Sequence, residues 1–288
     1  MKVLLTGASG QLGRALQATA PAGAALTALD RAALDIGDAV AVTARVRKVA
    51  PDLVINAAAY TAVDKAESDA EAARRVNAEA PGHLAAAAAK AGARFIHIST
   101  DFVFDGASGT PYRPAHPTAP LGVYGATKLA GERAVQGAHP GALIVRTAWV
   151  YGDTGHNFVR TMLRLMAERE EVRVVADQIG TPTYAAGLAR ALWALDAAGA
   201  TGVHHWTDSG AASWYDFAVA IQEEALTLGL LARAVPIVPI ATSDYPTPAR
   251  RPAYSVLDKS AAIALVGAAA PHWRVHLRDM LGVIKTHG

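Results

Sequence analysis

The chain has no cysteine, which excludes disulfides, thiolate metal sites and cysteine nucleophiles. Aromatic residues make up only 6% of it, so alanine, valine and leucine must fill most of any core. Neither sign of charge dominates: 27 basic residues against 25 acidic ones leave a formal net charge of +2. Such a balance offers no general attraction to nucleic acid or to a membrane surface. The longest basic stretch, Arg45-Val46-Arg47-Lys48, reads as a solvated helix face. No run approaches the roughly 20 apolar residues that span a bilayer, and no charged leader precedes an apolar run at the N-terminus. The expectation is a cytoplasmic protein with no membrane and no nucleic-acid partner. What the sequence does have is apolar mass, 52% of 288 residues, enough for a sizeable core and for one or two domains.

Short apolar runs at Val3 to Leu5, Ala25 to Leu29, Leu53 to Ile55, Phe95 to Ile98 and Leu143 to Val145 alternate with longer helical stretches, notably the alanine-rich Asp69 to Ala91. Strands alternating with helices predict βαβ units: an α/β fold with a Rossmann-type doubly wound parallel sheet. Further elements are expected at Val172 to Val175, Thr183 to Asp196 and Val203 to Trp206. The last third differs. Prolines cluster at 236, 239, 246, 248 and 252, and the segment Ala241 to Arg251 reads as a long irregular loop, usually a sign of function or mobility. This predicts a dinucleotide-binding domain over 1–150, with 172–200 returning to it, and a smaller C-terminal substrate lobe mainly over 201–288.

The first run opens into Gly7-Ala8-Ser9-Gly10-Gln11-Leu12-Gly13, a G-x-x-G-x-x-G at a strand-to-helix turn. Glycines there let the backbone approach a pyrophosphate, whose charge meets free N–H groups at the helix start. Gly7, Gly10, Gln11, Leu12 and Gly13 are therefore expected at a cofactor; the competing reading is a merely structural turn. Asp30 ends the second run. A carboxylate there accepts ribose hydroxyls and favours NADH, whereas Arg31 beside it suits the 2′-phosphate of NADPH. The pair leaves the preference open, and a surface Asp-Arg pair is the plain alternative. Asp35 and Ile36 follow closely enough to flank the adenine.

Tyr124-Gly125-Ala126-Thr127-Lys128 is Y-x-x-x-K at a helix start, with phenol and ammonium on one face. The ammonium is expected to lower the Tyr124 pKa and make it a usable proton donor, while Lys128 also holds the cofactor ribose. Taken alone the spacing is common, and a plain amphipathic turn would produce it. The fourth run ends in Ser99-Thr100-Asp101. A hydroxyl on a strand's carboxyl end faces the crevice where α/β proteins bind ligands, so Thr100 is expected to align a substrate carbonyl with Tyr124; a helix-capping or loop threonine is the competing reading. Glycine turn, hydroxyl and Y-x-x-x-K in that order indicate a dehydrogenase. Trp149, just past the fifth run, is placed to cover a sugar ring or donate a hydrogen bond, or else to sit in the core. Arg250 and Arg251 suit a bidentate grip on a diphosphate, or equally a plain surface role.

Four segments carry a family resemblance: Asn56-Ala57-Ala58-Ala59-Tyr60-Thr61-Ala62-Val63-Asp64-Lys65-Ala66-Glu67, Ser99-Thr100-Asp101-Phe102-Val103-Phe104-Asp105-Gly106, Arg146-Thr147-Ala148-Trp149-Val150-Tyr151-Gly152 and Asp177-Gln178-Ile179-Gly180-Thr181-Pro182-Thr183. Together they resemble the dTDP-4-dehydrorhamnose reductases over nearly the whole chain; Arg251-Pro252, Ser255 and Leu257 continue the match. The resemblance implies NADPH- or NADH-dependent reduction of the C4 ketone of dTDP-6-deoxy-L-lyxo-4-hexulose to dTDP-L-rhamnose. It implies Tyr124 as proton donor, Lys128 as its partner on the cofactor ribose and Thr100 as a tuning group. Ala58, Ala59, Tyr60, Thr61 and Ser99 would line the cofactor. The substrate would meet Thr61, Val63, Thr100, Asp101, Tyr124, Trp149 and Arg251.

Two departures stand out. Phe102 replaces a tyrosine found in many members. Where some members carry glutamates that bind magnesium between subunits, this chain has Ala15 and Tyr184-Ala185-Ala186. No metal is expected, and the chain is read as a monomer or a dimer not linked by metal. The same motifs suit two alternatives: another nucleotide-sugar reductase or epimerase, and a non-catalytic NADP-binding subunit similar to the methionine adenosyltransferase β subunit.

Overall fold

The computed structural model describes residues 1–287. Its first half builds β1 (Lys2–Thr6), α1 (Gln11–Ala18), β2 (Ala25–Leu29), α2 (Ala39–Val49) and β3 (Leu53–Asn56). There follow a short α3 (Val63–Ala66), α4 (Ala70–Arg74), α5 (Ala80–Lys90), β4 (Arg94–Thr100), α6 (Val123–Ala138) and β5 (Leu143–Thr147). Each expected apolar run is a strand; Ala25 to Leu29 keeps its bounds, and the other four gain a residue or two at their ends. Where a parallel strand is covered on both faces, its residues read as continuous apolar sequence; all four residues of β3 are buried. The basic stretch 45–48 lies on α2, which is capped by Asp38 through Val40 N and Ala41 N and carries Arg47 and Lys48 in its last turn, where they complement the helix dipole.

Between α4 and α5 the helix widens into a π turn over Arg75–Glu79. The cause is Pro81, which has no N–H for the carbonyl of Asn77. Gly131 of α6 presses against that carbonyl so closely that a Cβ would lie 2.1 Å from it.

The second half adds β6 (Val150–Tyr151), α7 (Phe158–Glu168), β7 (Val172–Val175), β8 (Ile179–Gly180), β9 (Thr183–Tyr184), α8 (Ala185–Ala197) and β10 (Gly202–His205). The chain ends with β11 (Ala212–Ser213), α9 (Trp214–Leu228), β12 (Ile237–Ile240), α10 (Ser260–Val266) and α11 (Trp273–His287). The main sheet has six strands in the order β10-β5-β4-β3-β1-β2, all neighbours parallel. One face is covered by α1, α8 and α10 through Leu12, Leu16, Leu188, Leu192 and Ala262. The other is covered by α2, α5 and α6 through Val42, Val46, Leu84, Ala88 and Val135.

A second core, with Tyr151, Val159, Met166, Phe217, Trp273 and Leu281, gathers α7, α9, α11 and the parallel pair β7 and β12 into a smaller lobe. The chain crosses between the two units more often than boundaries at 150, 172–200 and 201 allow. Strand β7 belongs with the small lobe, whereas β10 closes the edge of the large sheet beside β5, and α10 packs on the same face as α8. The sheet needs a sixth strand to cover β5, and the C-terminal third supplies it.

Strand order reverses on either side of β1, between β2 and β3. Ligands of open α/β sheets bind outside the carboxyl ends of the strands at such a switch point, and here those ends deliver the glycine turn after β1 and Ala57 to Thr61 after β3.

Candidate active site

A cavity of about 860 Å³ lies along these strand ends. The glycine turn forms one end of it. Gly7 has φ +74°, and a Cβ on it would sit 2.6 Å from the Ala57 carbonyl, so only glycine lets the turn pass beneath the loop after β3. Gly10 N–H donates to Gly7 O at 3.0 Å. Helix α1 then starts with no capping side chain and no acidic residue in its first turn, so its terminal N–H groups and partial positive charge face the cavity beside Gly10, Gln11 and Leu12. Gly13 does not line the cavity; it lies beneath, where a Cβ would meet the Gly7 carbonyl at 2.1 Å. Its part is to let helix and turn touch.

Further along, the cavity passes Asp30, Arg31, Asp35 and Ile36. Asp30 accepts a hydrogen bond from Ala33 N–H at 2.9 Å, which fixes its carboxylate. Asp35 accepts from Gly37 N–H at 2.9 Å and from Arg75 at 2.6 Å, and these contacts hold its pKa below the usual carboxylate range. Arg75, which the sequence reading missed, also lines this end. A Cβ on Gly37 would strike its guanidinium, and no local pattern announces a contact 40 residues apart. The far wall is Ala57 to Thr61, held by the π turn: Asn77 accepts from Tyr60 N–H at 2.8 Å and donates to Tyr60 O at 3.0 Å.

The catalytic candidates converge at the opposite end. Thr100 closes β4 and caps the short 3₁₀ turn Asp101–Val103, accepting from Phe102 N–H at 3.2 Å and donating to Asp101 Oδ1 at 3.0 Å. Tyr124 enters on the first turn of α6. Glu67, at the end of α3, accepts from Val123 N–H at 2.8 Å and so caps that helix, while Gly125 lies on the Phe102 carbonyl, where a Cβ would come within 2.2 Å. Phe102 meets the Tyr124 ring edge-on at 5.4 Å, so the residue that replaces tyrosine here acts as packing.

The Tyr124 hydroxyl contacts Thr100, but its pKa is pushed up to about 12, chiefly by burial, with the Asp101 carboxyl adding to the rise. This corrects the expectation that Lys128 would lower it. Lys128 Nζ is tethered to the Ile98 carbonyl at 2.6 Å, and burial brings its own pKa down to about 8. Burial also raises the Asp101 carboxyl to about 6, the hydroxyls of Ser255 and Thr100 pulling it partly back. Ser99 reaches the cavity, yet its hydroxyl is committed to Glu132 at 2.5 Å.

Thr61, Val63, Trp149 and Arg251 complete the rim. Arg251 is already engaged: Nη1 and Nη2 donate to the two oxygens of Asp64 at 3.0 and 2.8 Å, and Nη1 reaches Thr247. The bidentate diphosphate grip expected from the sequence is therefore filled by a carboxylate of the same chain, and Arg250 lies outside the cavity wall. Trp214 was missed, although it stacks on Trp149; an aromatic opening a distant helix carries no sign of that contact. Among the described residues, no group of three His, Asp or Glu side chains is arranged to hold a metal, and no helix is long and apolar enough to cross a membrane.

The residues present fit a dinucleotide. The uncapped start of α1, the Gly7 cradle and the carboxylate-guanidinium end lie in one cavity with the Tyr124-Thr100 pair. Comparison with known proteins agrees. The family model described as RmlD substrate binding domain matches residues 1–285. A dTDP-4-dehydrorhamnose reductase of Burkholderia thailandensis is 47% identical, over 98% of this chain and 99% of that protein. The crystal structure of a dTDP-4-dehydrorhamnose reductase from Clostridium acetobutylicum superposes with a TM-score of 0.94 at 40% identity, covering 99% of this chain and 100% of the other. The enzyme of the same name from Bacillus anthracis, solved in complex with NADP, gives 0.93 at 38% identity, covering 98% and 99%.

Proposed function

The chain belongs to the family described as RmlD substrate binding domain, and on that premise we propose that it is a dTDP-4-dehydrorhamnose reductase, which uses NADPH to reduce the C4 ketone of dTDP-6-deoxy-L-lyxo-4-hexulose to dTDP-L-rhamnose. The observation that carries this reading is the meeting of Thr100, Tyr124 and Lys128 in the same cavity as the glycine turn.

NADPH, when bound, supplies the hydride for the carbonyl carbon. The α1 N-terminus and Gly7 to Leu12 would hold its diphosphate, Asp30 and Arg31 its adenosine ribose and phosphate, Ala58 to Thr61 its flank, and Lys128 its second ribose. The remaining work belongs to side chains. Thr100, on leaving the Asp101 carboxylate to which it donates here, would turn its hydroxyl to the substrate oxygen and keep the carbonyl against Tyr124. The Tyr124 phenol gives its proton to that oxygen as negative charge develops there. A raised pKa suits this direction of reaction, because it keeps the phenol protonated until an alkoxide, a stronger base than phenolate, forms beside it. Lys128, tied to the Ile98 carbonyl, is left to the cofactor's second ribose and does not draw the phenol's pKa down.

We propose that the enzyme works in the cytoplasm. We also propose a monomer or a dimer not linked by metal, because Ala15 and Tyr184-Ala185-Ala186 stand where magnesium-binding glutamates would be needed. The test is coupled turnover. dTDP-glucose is converted by a dehydratase and an epimerase to the 4-ketosugar, and loss of NADPH absorbance is followed with this protein added. Oxidation that yields dTDP-L-rhamnose is expected. Activity confined to UDP- or GDP-sugars would move the assignment to another nucleotide-sugar reductase. Cofactor binding with no reduction, alongside stoichiometric capture of a synthetase, would favour the regulatory-subunit alternative.

A further inference from the structure

Trp149 has φ +47°, a left-handed backbone that a bulky residue adopts only when its surroundings impose it. The surroundings are visible. Its carbonyl accepts from Thr183 N–H at 3.1 Å. Its indole lies on that of Trp214 with ring centroids 3.5 Å apart and planes 6° from parallel. A Cβ built on Gly180 would stand 2.6 Å from Trp149 Cε2, 2.7 Å from Nε1 and 2.8 Å from Cζ2. Those near-equal distances place Gly180 over a face of the ring. Two rings so close leave no space between them, so Gly180 covers the face opposite Trp214.

The clamp is itself anchored. Gly180 pairs with Ala212 in the β8–β11 ladder, Ser213 and Asp216 form a capping box that fixes the start of α9 at Trp214, and Phe158 packs against Trp214 at 4.7 Å. Trp149 is thus covered by Trp214 on one face and by Gly180 along the Nε1–Cε2–Cζ2 side of the other. It lines the cavity, and its Nε1–H has no protein acceptor among the described residues, nor is it sealed from solvent as the indole nitrogens of Trp193, Trp206 and Trp273 are.

Building on the reductase reading, we infer that Trp214, with Gly180 opposite, is a positioning residue: it holds Trp149 edge-on, so that Trp149 meets the sugar as a directional N–H donor instead of as a stacking surface. A donor selects for a hydroxyl or ring oxygen at one place, which an apolar face does not.

The experiment is a mutant cycle on the ketosugar reaction, with NADPH affinity read separately by fluorescence titration. Trp214→Ala is expected to raise KM for the ketosugar about tenfold, the worth of one hydrogen bond, with kcat within about threefold and the Kd for NADPH unchanged. Trp214→Phe, which keeps a stacking face, should restore most of the affinity. Because Trp214 acts through Trp149, the Trp149→Phe/Trp214→Ala double variant should be no worse than Trp149→Phe alone. Multiplying effects, or an unaltered KM in Trp214→Ala, would overturn the inference. Should Trp214→Ala not fold, Gly180→Ala perturbs the ring from the other side, and an unchanged KM there would be equally fatal. Wild-type turnover is the control for the reductase reading: its absence sinks that reading, whereas normal turnover with insensitive variants sinks only this one.

Discussion

Arg146 donates two hydrogen bonds to Glu132, from Nε at 2.8 Å and from Nη2 at 2.7 Å, with both side chains almost wholly buried. Glu132 also receives the Ser99 hydroxyl, and Arg146 reaches the Pro114 carbonyl and lies over the Phe104 ring. The pair therefore ties the carboxyl ends of β4 and β5 to the helix that carries Tyr124 and Lys128. Removing one partner of a buried pair strands the other charge. Glu132→Ala should cost about 3–5 kcal/mol of stability, measured by urea unfolding. Ser99→Ala, which removes one hydroxyl donor to that carboxylate and strands no charge, should cost less, about 1.5 kcal/mol. Equal losses for the two would show that the guanidinium is not held by Glu132.

Tyr124 and Thr100 share the chemistry unequally. Tyr124→Phe deletes the proton donor and keeps the ring that Phe102 packs against, so kcat should fall roughly 10²–10⁴-fold while the Kd for NADPH stays the same. Turnover rates with saturating ketosugar, set beside a fluorescence titration of cofactor, separate the two quantities. A variant that turned over at near-normal rates would remove Tyr124 from the proton transfer.

How much of this was legible beforehand depended on whether the signal was local. The parallel sheet was, because strands covered on both faces must be apolar throughout and the crossover helices must be amphipathic. The glycine turn and Y-x-x-x-K were, because the first sits within one strand-to-helix junction and the second within the opening turns of one helix. Gly13 was read too literally: its glycine serves packing against Gly7, a requirement that produces the same spacing as ligand approach. Contacts such as Arg75 with Asp35, Arg251 with Asp64, and Trp214 with Trp149 join residues 40, 187 and 65 positions apart, and sequence spacing carries no trace of them. The Tyr124 pKa was misjudged for a related reason. Spacing puts Lys128 nearby, but only the fold reveals that its ammonium is tied to Ile98 and that Asp101 stands beside the phenol.

Asp101 gives a pH dependence whose sign is fixed. Its pKa rises from 3.8 to about 6 on folding, so between those values the native state binds more protons than the unfolded chain. Stability contributed by this group is present below about pH 4 and is lost as pH rises through about 6. A shift of about two units corresponds to about 3 kcal/mol. Asp101→Asn keeps the shape and cannot titrate, so its stability minus that of the wild type should grow by about 2 kcal/mol between pH 4.5 and 7.5. Carboxylates nearer the surface such as Asp35, Asp64 and Asp258 shift the other way, but they are common to both proteins and cancel in the difference. Urea titrations at the two pH values supply the measurement, and a constant difference would mean that Asp101 is ionised throughout.

Cofactor preference should rest on Arg31 more than on Arg75, although both border the adenosine end of the cavity. Arg75 is occupied by Asp35 and fitted against Gly37, so turning toward a phosphate would break an existing ion pair. Arg31 is exposed and makes no ion pair or side-chain hydrogen bond among the described residues, so its guanidinium is available to a 2′-phosphate at no such cost. A hydrogen bond between charged groups is worth about 1.5–3 kcal/mol, which predicts that Arg31→Ala weakens NADPH binding by at least about tenfold and leaves NADH within about twofold. The NADPH effect should shrink as salt is raised, because the contact is exposed and screened. Fluorescence titration of both cofactors at low and high ionic strength measures all of this. If the two cofactors weakened equally, Arg31 would not be reading the phosphate, and the preference would have to be sought at Arg75.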